Sequence, residues 1–167
     1  ALPKPGAGYV FFNNSKMSED ALNQSGTEPQ ARIVDYEIAG VAPEIMGIGP
    51  VPAIRSLLTR QNLSLRDIDL IELNEAFAAQ VIACLRAWAD DAYCRTELGQ
   101  DGALGKVDEA KLNVDGGAIA LGHPVGASGA RIVLHLLNVL KRTKAKRGIA
   151  AICIGGGLGG AMLVEAA

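Results

Sequence analysis

An amide, an imidazole and a thiol stand beside glycines or at strand-to-helix transitions in three short stretches of this chain. These are Asn74-Glu75-Ala76-Phe77, Gly122-His123-Pro124-Val125-Gly126-Ala127-Ser128-Gly129 and Cys153-Ile154-Gly155-Gly156-Gly157-Leu158-Gly159. Together they form a toolkit for acyl chemistry. His123 lies in a segment with five glycines among residues 116–129. Glycine there lets a substrate approach the backbone, and Pro124 stiffens the loop. A helix is expected to follow, and the positive field of its N-terminus disfavours an imidazolium. A neutral ring results, able to accept a proton or donate a hydrogen bond. A lone histidine is more often structural, but the glycine setting favours chemistry here. His135, the other histidine, has no such setting and reads as packing or surface.

Cys153 ends an apolar run and is followed by five glycines in seven residues. Free cysteines are often plain core residues. Here the glycines would bare successive backbone N–H groups beside the sulfur, which is how an oxyanion site is built. A thiol so placed could act as acid or base if its pKa is lowered. Cys84 and Cys94 lack this setting. Asn74 reads either as a helix N-cap or as an amide that holds a water or a carbonyl oxygen. Glu75 reads either as a first-turn acid favoured by the helix dipole or as a group that orients its neighbours.

The elements that must position these groups belong to an α/β domain. The chain has 167 residues, 49% of them apolar and only 4% aromatic, with 20 glycines, so its core is built from Ala, Ile, Leu and Val at close backbone distances. Ala31 to Ala39 alternates as a strand, and the ordered domain is expected to start there. Residues 1–30 read as a separate segment with a strand at Tyr9–Phe12, a polar loop and a helical turn near Met17 to Asn23. A helix follows Pro50, and a short strand over Ile68 to Leu73 leads into a buried helix expected from Glu75 to Trp88. Residues 89–112 read as a polar excursion with one short helix. A helix from Ala127 to Lys141 and two strands, Ile149 to Ile154 and Ala161 to Glu165, close the chain.

The net charge of −2 offers no electrostatic footprint for nucleic acid, and the basic cluster Lys141 to Arg147 reads as a solvated helix end. No apolar run reaches the roughly 18 residues that span a membrane. Three cysteines without C-x-x-C spacing argue against a disulfide framework and a metal site, so a reducing compartment is expected.

The three stretches, with Gly40-Val41-Ala42-Pro43-Glu44-Ile45-Met46-Gly47-Ile48-Gly49-Pro50 and the run Asn113 to Gly129, resemble the C-terminal half of the thiolases, the acetyl-CoA C-acyltransferases. The resemblance runs from about Met17 to Glu165. It implies a mixed β-sheet with helices packed on it, one half of a layered α-β-α-β-α architecture, over residues 31–167. Residues 1–30 would be a remnant of the preceding half or a linker. It also implies acyl transfer between coenzyme A thioesters, by Claisen condensation or thiolytic cleavage of a 3-ketoacyl-CoA. His123 would activate a nucleophilic cysteine and, with a water held by Asn74, stabilise the thioester oxygen. Cys153 would exchange a proton with the α-carbon of acetyl-CoA, and the N–H of Gly155 would serve a second oxyanion site.

Related ketoacyl synthases use a similar histidine loop, but no catalytic cysteine precedes their glycine turn. Coenzyme A and acetyl-CoA are implied as substrates, with no covalently bound cofactor. The family nucleophile and most coenzyme A contacts belong to an N-terminal half, which becomes the expected partner, in the same gene or as a separate chain. A chain alone should then expose an apolar face and associate. The expected location is cytoplasmic, or mitochondrial or peroxisomal in a eukaryote. Two alternatives are a subunit of a split thiolase and a non-catalytic module that binds an acyl-CoA or a protein.

Overall fold

The computed structural model describes residues 9–12 and 15–167, and these form one six-stranded sheet. Strands β1 (Tyr9–Phe12) and β2 (Ser15–Ser18) pair antiparallel, and the polar loop expected between them falls on residues 13–14, outside the described residues. Helix α1 (Glu19–Ser25) starts where the Ser18 hydroxyl accepts the Ala21 N–H at 3.2 Å. Strand β3 (Ala31–Gly40) pairs with β1 as well as with the last strand, so the sheet begins before Ala31.

Helix α2 (Pro50–Gln61) opens on a proline whose missing N–H costs nothing in the first turn. Strand β4 (Leu70–Leu73), helix α3 (Ala78–Ala89) and helix α4 (Asp91–Leu98) follow. Then come the one-turn helix α5 (Ala118–Leu121), the long helix α6 (Ser128–Thr143), and strands β5 (Arg147–Ile154) and β6 (Leu158–Ala166). The strand order is β2-β1-β3-β6-β5-β4, antiparallel throughout except for the parallel pair β4 and β5.

Side-chain alternation splits the apolar residues into two cores. Ile71, Leu73, Ile149, Ala151 and Leu163 face α2, α3 and α4, where Trp88, Leu57 and Leu58 lie. Leu70, Ala150 and Val164 face Ile132, Leu136 and Leu140 of α6. The result is a mixed sheet sandwiched between two helical layers, the α/β arrangement expected.

Two glycines fix how α2 meets the sheet. A Cβ at Gly159 would lie 1.9 Å from the carbonyl carbon of Gly49, so the backbones of β6 and the start of α2 touch directly. Gly156 and Gly157 turn the chain between β5 and β6 at φ of 85° and 91°, which only glycine adopts easily.

Two expectations need correction around α3. The helix begins three residues later than read, with Phe77 at its cap. Asn74 is not a cap, because its N–H continues the ladder to Ala151 O at 2.8 Å. Nor is α3 buried throughout: only Gln80, Cys84, Ala87 and Trp88 are, whereas Phe77 and Ile82 face outward. Its apolar composition reflects two apolar faces, and only one of them meets this sheet.

Candidate active site

The carboxyl ends of β4 and β5 lie side by side, and the three stretches converge there. Asn74 leaves β4 on the α6 face and is 2% exposed. Its Nδ2 lies 3.4 Å from Nε2 of His123, whose Nδ1 is 2.6 Å from Oγ of Ser128 in the first turn of α6. The Ser128 hydroxyl donates to Pro124 O at 3.1 Å, so its lone pair accepts the Nδ1–H of His123. That arrangement leaves the Nε2 lone pair facing the Asn74 amide and the open edge. The ring is thus held as the Nδ1–H tautomer, suited to accept a proton at Nε2. The Asn74 Oδ1 atom is buried with no hydrogen-bond partner among the described residues.

The loop carrying His123 is anchored from three sides. The Glu75 carboxylate accepts from Ile119 N at 3.1 Å, which satisfies an orphan N–H at the start of α5. Glu75 also accepts from Asn113 Nδ2 at 2.9 Å. Asn113 in turn pairs with both backbone groups of Leu73 at 2.9 Å, covering the outer edge of β4. Gly117 packs against that carboxylate, since a Cβ would lie 2.5 Å from its carbon. Arg131 Nη2 donates to Gly122 O at 2.9 Å. Of the two readings of Glu75, the orienting one matches this geometry.

Cys153 approaches the same edge from the other face, where alternation places it with Ile149 and Ala151. It is 8% exposed, and burial pushes its thiol up, not down. A basic thiol suits the return of a proton better than standing thiolate chemistry. Gly155 opens the hairpin beyond it with no heavy atom within 4 Å of where a Cβ would stand, so a ligand could reach its backbone. No hydrogen bond links His123 to Cys153 among the described residues. Cys84 and Cys94 are fully buried, and burial pushes Cys84 up to about 12. Neither can serve as a nucleophile.

Sequence reading missed Ser128, Asn113 and Glu72. Only Ser128 carried a signal, a serine five residues after the histidine. His135 is not ordinary packing: its Nδ1 lies 2.9 Å from Glu72 Oε1 and its Nε2 lies 3.0 Å from Asp115 Oδ2, which also accepts from Arg142 at 2.8 Å. Exposed apolar side chains surround the site: Phe77, Ile119, Leu121, Val125, Ile154 and Leu158, with Val125 81% exposed. Among the described residues, no group of His, Cys, Asp and Glu is arranged to hold a metal, and no helix is long and apolar enough to cross a membrane.

The model of the thiolase C-terminal domain matches residues 27–166. The chain is 47% identical over 152 residues to the acetyl-CoA acetyltransferase of Syntrophomonas wolfei subsp. wolfei, covering 90% of this chain and 34% of that protein. It is 45% identical over 160 residues to human mitochondrial 3-ketoacyl-CoA thiolase, covering 96% and 35%. The solved structure of that human thiolase in complex with CoA matches with a TM-score of 0.79 at 45% identity, over 91% of this chain and 34% of that one. The chain spans about a third of the length of the curated relatives it matches. It belongs to the thiolase family, as the family's C-terminal domain.

Proposed function

We propose that this domain provides the proton-handling and oxyanion side of an enzyme that transfers acyl groups between coenzyme A thioesters, by Claisen condensation or thiolytic cleavage of a 3-ketoacyl-CoA. The observation that carries this reading is His123, held between Ser128 and Asn74 with its Nε2 lone pair at the open strand edge. In thiolysis, Nε2 takes the proton of the attacking thiol, and a water on the Asn74 amide together with the imidazole steadies the thioester oxygen. Cys153 protonates the α-carbon as the carbon–carbon bond breaks, and takes a proton from that carbon in condensation. The N–H of Gly155 faces the oxyanion of the acyl-enzyme.

The acyl-carrying nucleophile comes from outside this chain, because Cys84 and Cys94 are fully buried and burial pushes the Cys84 thiol up to about 12. An N-terminal thiolase half is the partner that brings it, and the apolar ring around His123 supports such a covered face. Residues 31–167 then form the bulk of the domain, and the segment before them adds strands β1 and β2 to the same sheet on the way to that half. The assembled protein is an oligomer. Three free thiols suit a reducing compartment, the cytoplasm or an organelle matrix.

The test is turnover of acetoacetyl-CoA and coenzyme A by the full-length protein, with His123→Ala and Cys153→Ala alongside. Each variant should lose at least about 10²-fold in kcat/KM. Wild-type rates in both variants would end this assignment.

A further inference from the structure

We propose that Glu75 and Asn113 are a positioning pair for His123 that works only with a carboxylate at 75 and an amide at 113, an inference that rests on the acyltransferase reading above. Asn74 and Glu75 are consecutive residues just beyond β4, and they grip one loop at two points. Asn74 faces the His123 ring at 3.4 Å, and Glu75 Oε2 accepts from Ile119 N at 3.1 Å. Ile119 lies in α5, whose single turn is closed by Leu121 N on Gly117 O at 3.0 Å and by Gly122 N on Ala118 O at 2.8 Å. Gly122 directly precedes His123. A shift at the root of α5 therefore carries the imidazole with it, relative to Asn74.

Side-chain packing within the domain does little to fix this loop. Of residues 114–127 only Ala118 is buried. The remaining anchors are polar: Ser128 on the ring, Arg131 on Gly122 O, and Glu75 at the root of α5. No Lys, Arg or His pairs with Glu75 among the described residues, so its two oxygens answer to N–H donors alone. Gly117 makes room for them, since a Cβ there would stand 2.5 Å from the carboxylate carbon and 2.6 Å from Oε2.

The strand dictates the polarity of the pair. Leu73 N–H can only donate and Leu73 O can only accept, so Asn113 turns Oδ1 to the first and Nδ2 to the second, both at 2.9 Å. The other Nδ2 proton goes to Glu75 Oε1, at 2.9 Å. Both Glu75 oxygens thus face donors, and a glutamine there would turn its NH2 group toward one of them. A carboxylate at 113 would face the carboxylate at 75 and leave the Leu73 carbonyl without its donor. Exchanging the two groups mends most of this. The amide at 75 then donates to the carboxylate at 113, Ile119 N and Leu73 N keep their acceptors, and only Leu73 O goes without.

The test uses the full-length protein with Glu75→Gln, Asn113→Asp and the two combined, and reads both kinetics and hydrogen exchange of residues 117–123 by mass spectrometry. Each single variant should lower kcat with acetoacetyl-CoA and coenzyme A by about tenfold or more, with KM little changed, because the imidazole is misplaced and substrate binding is not. Exchange in 117–123 should quicken several-fold. The combined variant should recover most of both losses, which a general loss of stability would not allow. Wild-type kcat in Glu75→Gln overturns the proposal, and so does a combined variant no better than the worse single one. Gly117→Ala keeps every polar group and decides the matter if the others fail to fold. Its methyl group displaces the Glu75 carboxylate, so kcat should fall as in Glu75→Gln, and an unchanged kcat overturns the pair. Absence of wild-type turnover would sink the acyltransferase reading alone, because exchange needs no catalysis; equal exchange in wild type and Glu75→Gln, or in wild type and Gly117→Ala, would sink the pair alone.

Discussion

The hydroxyl oxygen of Ser128 lies 2.6 Å from Nδ1 of His123, while its own proton goes to the Pro124 carbonyl. One fully buried serine thereby selects the tautomer of the candidate base. Ser128→Ala should leave the fold intact at a cost of about 1–2 kcal/mol, and lower kcat/KM of the full-length enzyme by at least about tenfold. Urea unfolding and steady-state kinetics check the two halves. An active Ser128→Ala enzyme with an unshifted pH profile would remove Ser128 from the machinery.

Arg60 bridges two strand carboxylates, meeting Asp35 at 2.7 Å and Glu37 at 2.5 Å. Burial pushes Asp35 up, but hydrogen bonds from Arg60 and Gln61 outweigh it and hold the carboxyl below its usual range. Glu37 follows the same logic, with Arg60 and Ser56 as donors. Both folded-state pKa values are depressed, so their stabilisation is present above the ordinary carboxylate range and is lost as pH falls through the depressed values. Arg60→Met should destabilise by about 2 kcal/mol at neutral pH, because it strands the buried Asp35. Melting curves from pH 7 down to 3 should show the gap between variant and wild type closing as pH drops.

The contact between Gly159 and Gly49 leaves no room for a methyl group, whereas Gly129 in α6 has nothing within 4 Å of its would-be Cβ. Gly159→Ala should cost about 3 kcal/mol or yield insoluble protein. Gly129→Ala should be neutral or stabilise by up to about 1 kcal/mol. Chemical denaturation of the two variants side by side is the check, and equal effects would contradict the backbone contact.

The three thiols differ in access. Cys84 and Cys94 are fully buried, and Cys153 is 8% exposed at the strand edge. Iodoacetamide at pH 8 should modify Cys153 first and slowly, since burial holds its thiol up. Cys84, pushed up to about 12, should react only on unfolding. Peptide mapping over time gives the order, and early loss of Cys84 would contradict it.

Much of the fold was legible. The stripe Ile132, Leu136 and Leu140 marks α6, and the glycine run between two apolar strands marks the final hairpin. The start of α3 was not. Asn74-Glu75 has the composition of a helix cap, yet Asn74 N bonds Ala151 and the Glu75 carboxylate serves α5, so neither is free to start a helix. Phe77 and Ile82 read as buried because composition cannot tell which face an apolar helix turns toward its own sheet.

At the site, His123 and Asn74 stood out because glycine and strand-end settings are local features. Glu72, Asn113 and His135 did not, because each acts through partners 20 to 63 residues away. Only the fold brings those distances together.

Under the proposed function, the exposed hydrocarbon around His123 would act as a safety catch. While water reaches the imidazole and the glycine N–H groups, solvent screens every charge they would stabilise. Covering Val125, Leu121 and Phe77 removes that water and strengthens the same hydrogen bonds at once. Reactivity would thereby, under the proposed function, be tied to the covering of this face by a partner.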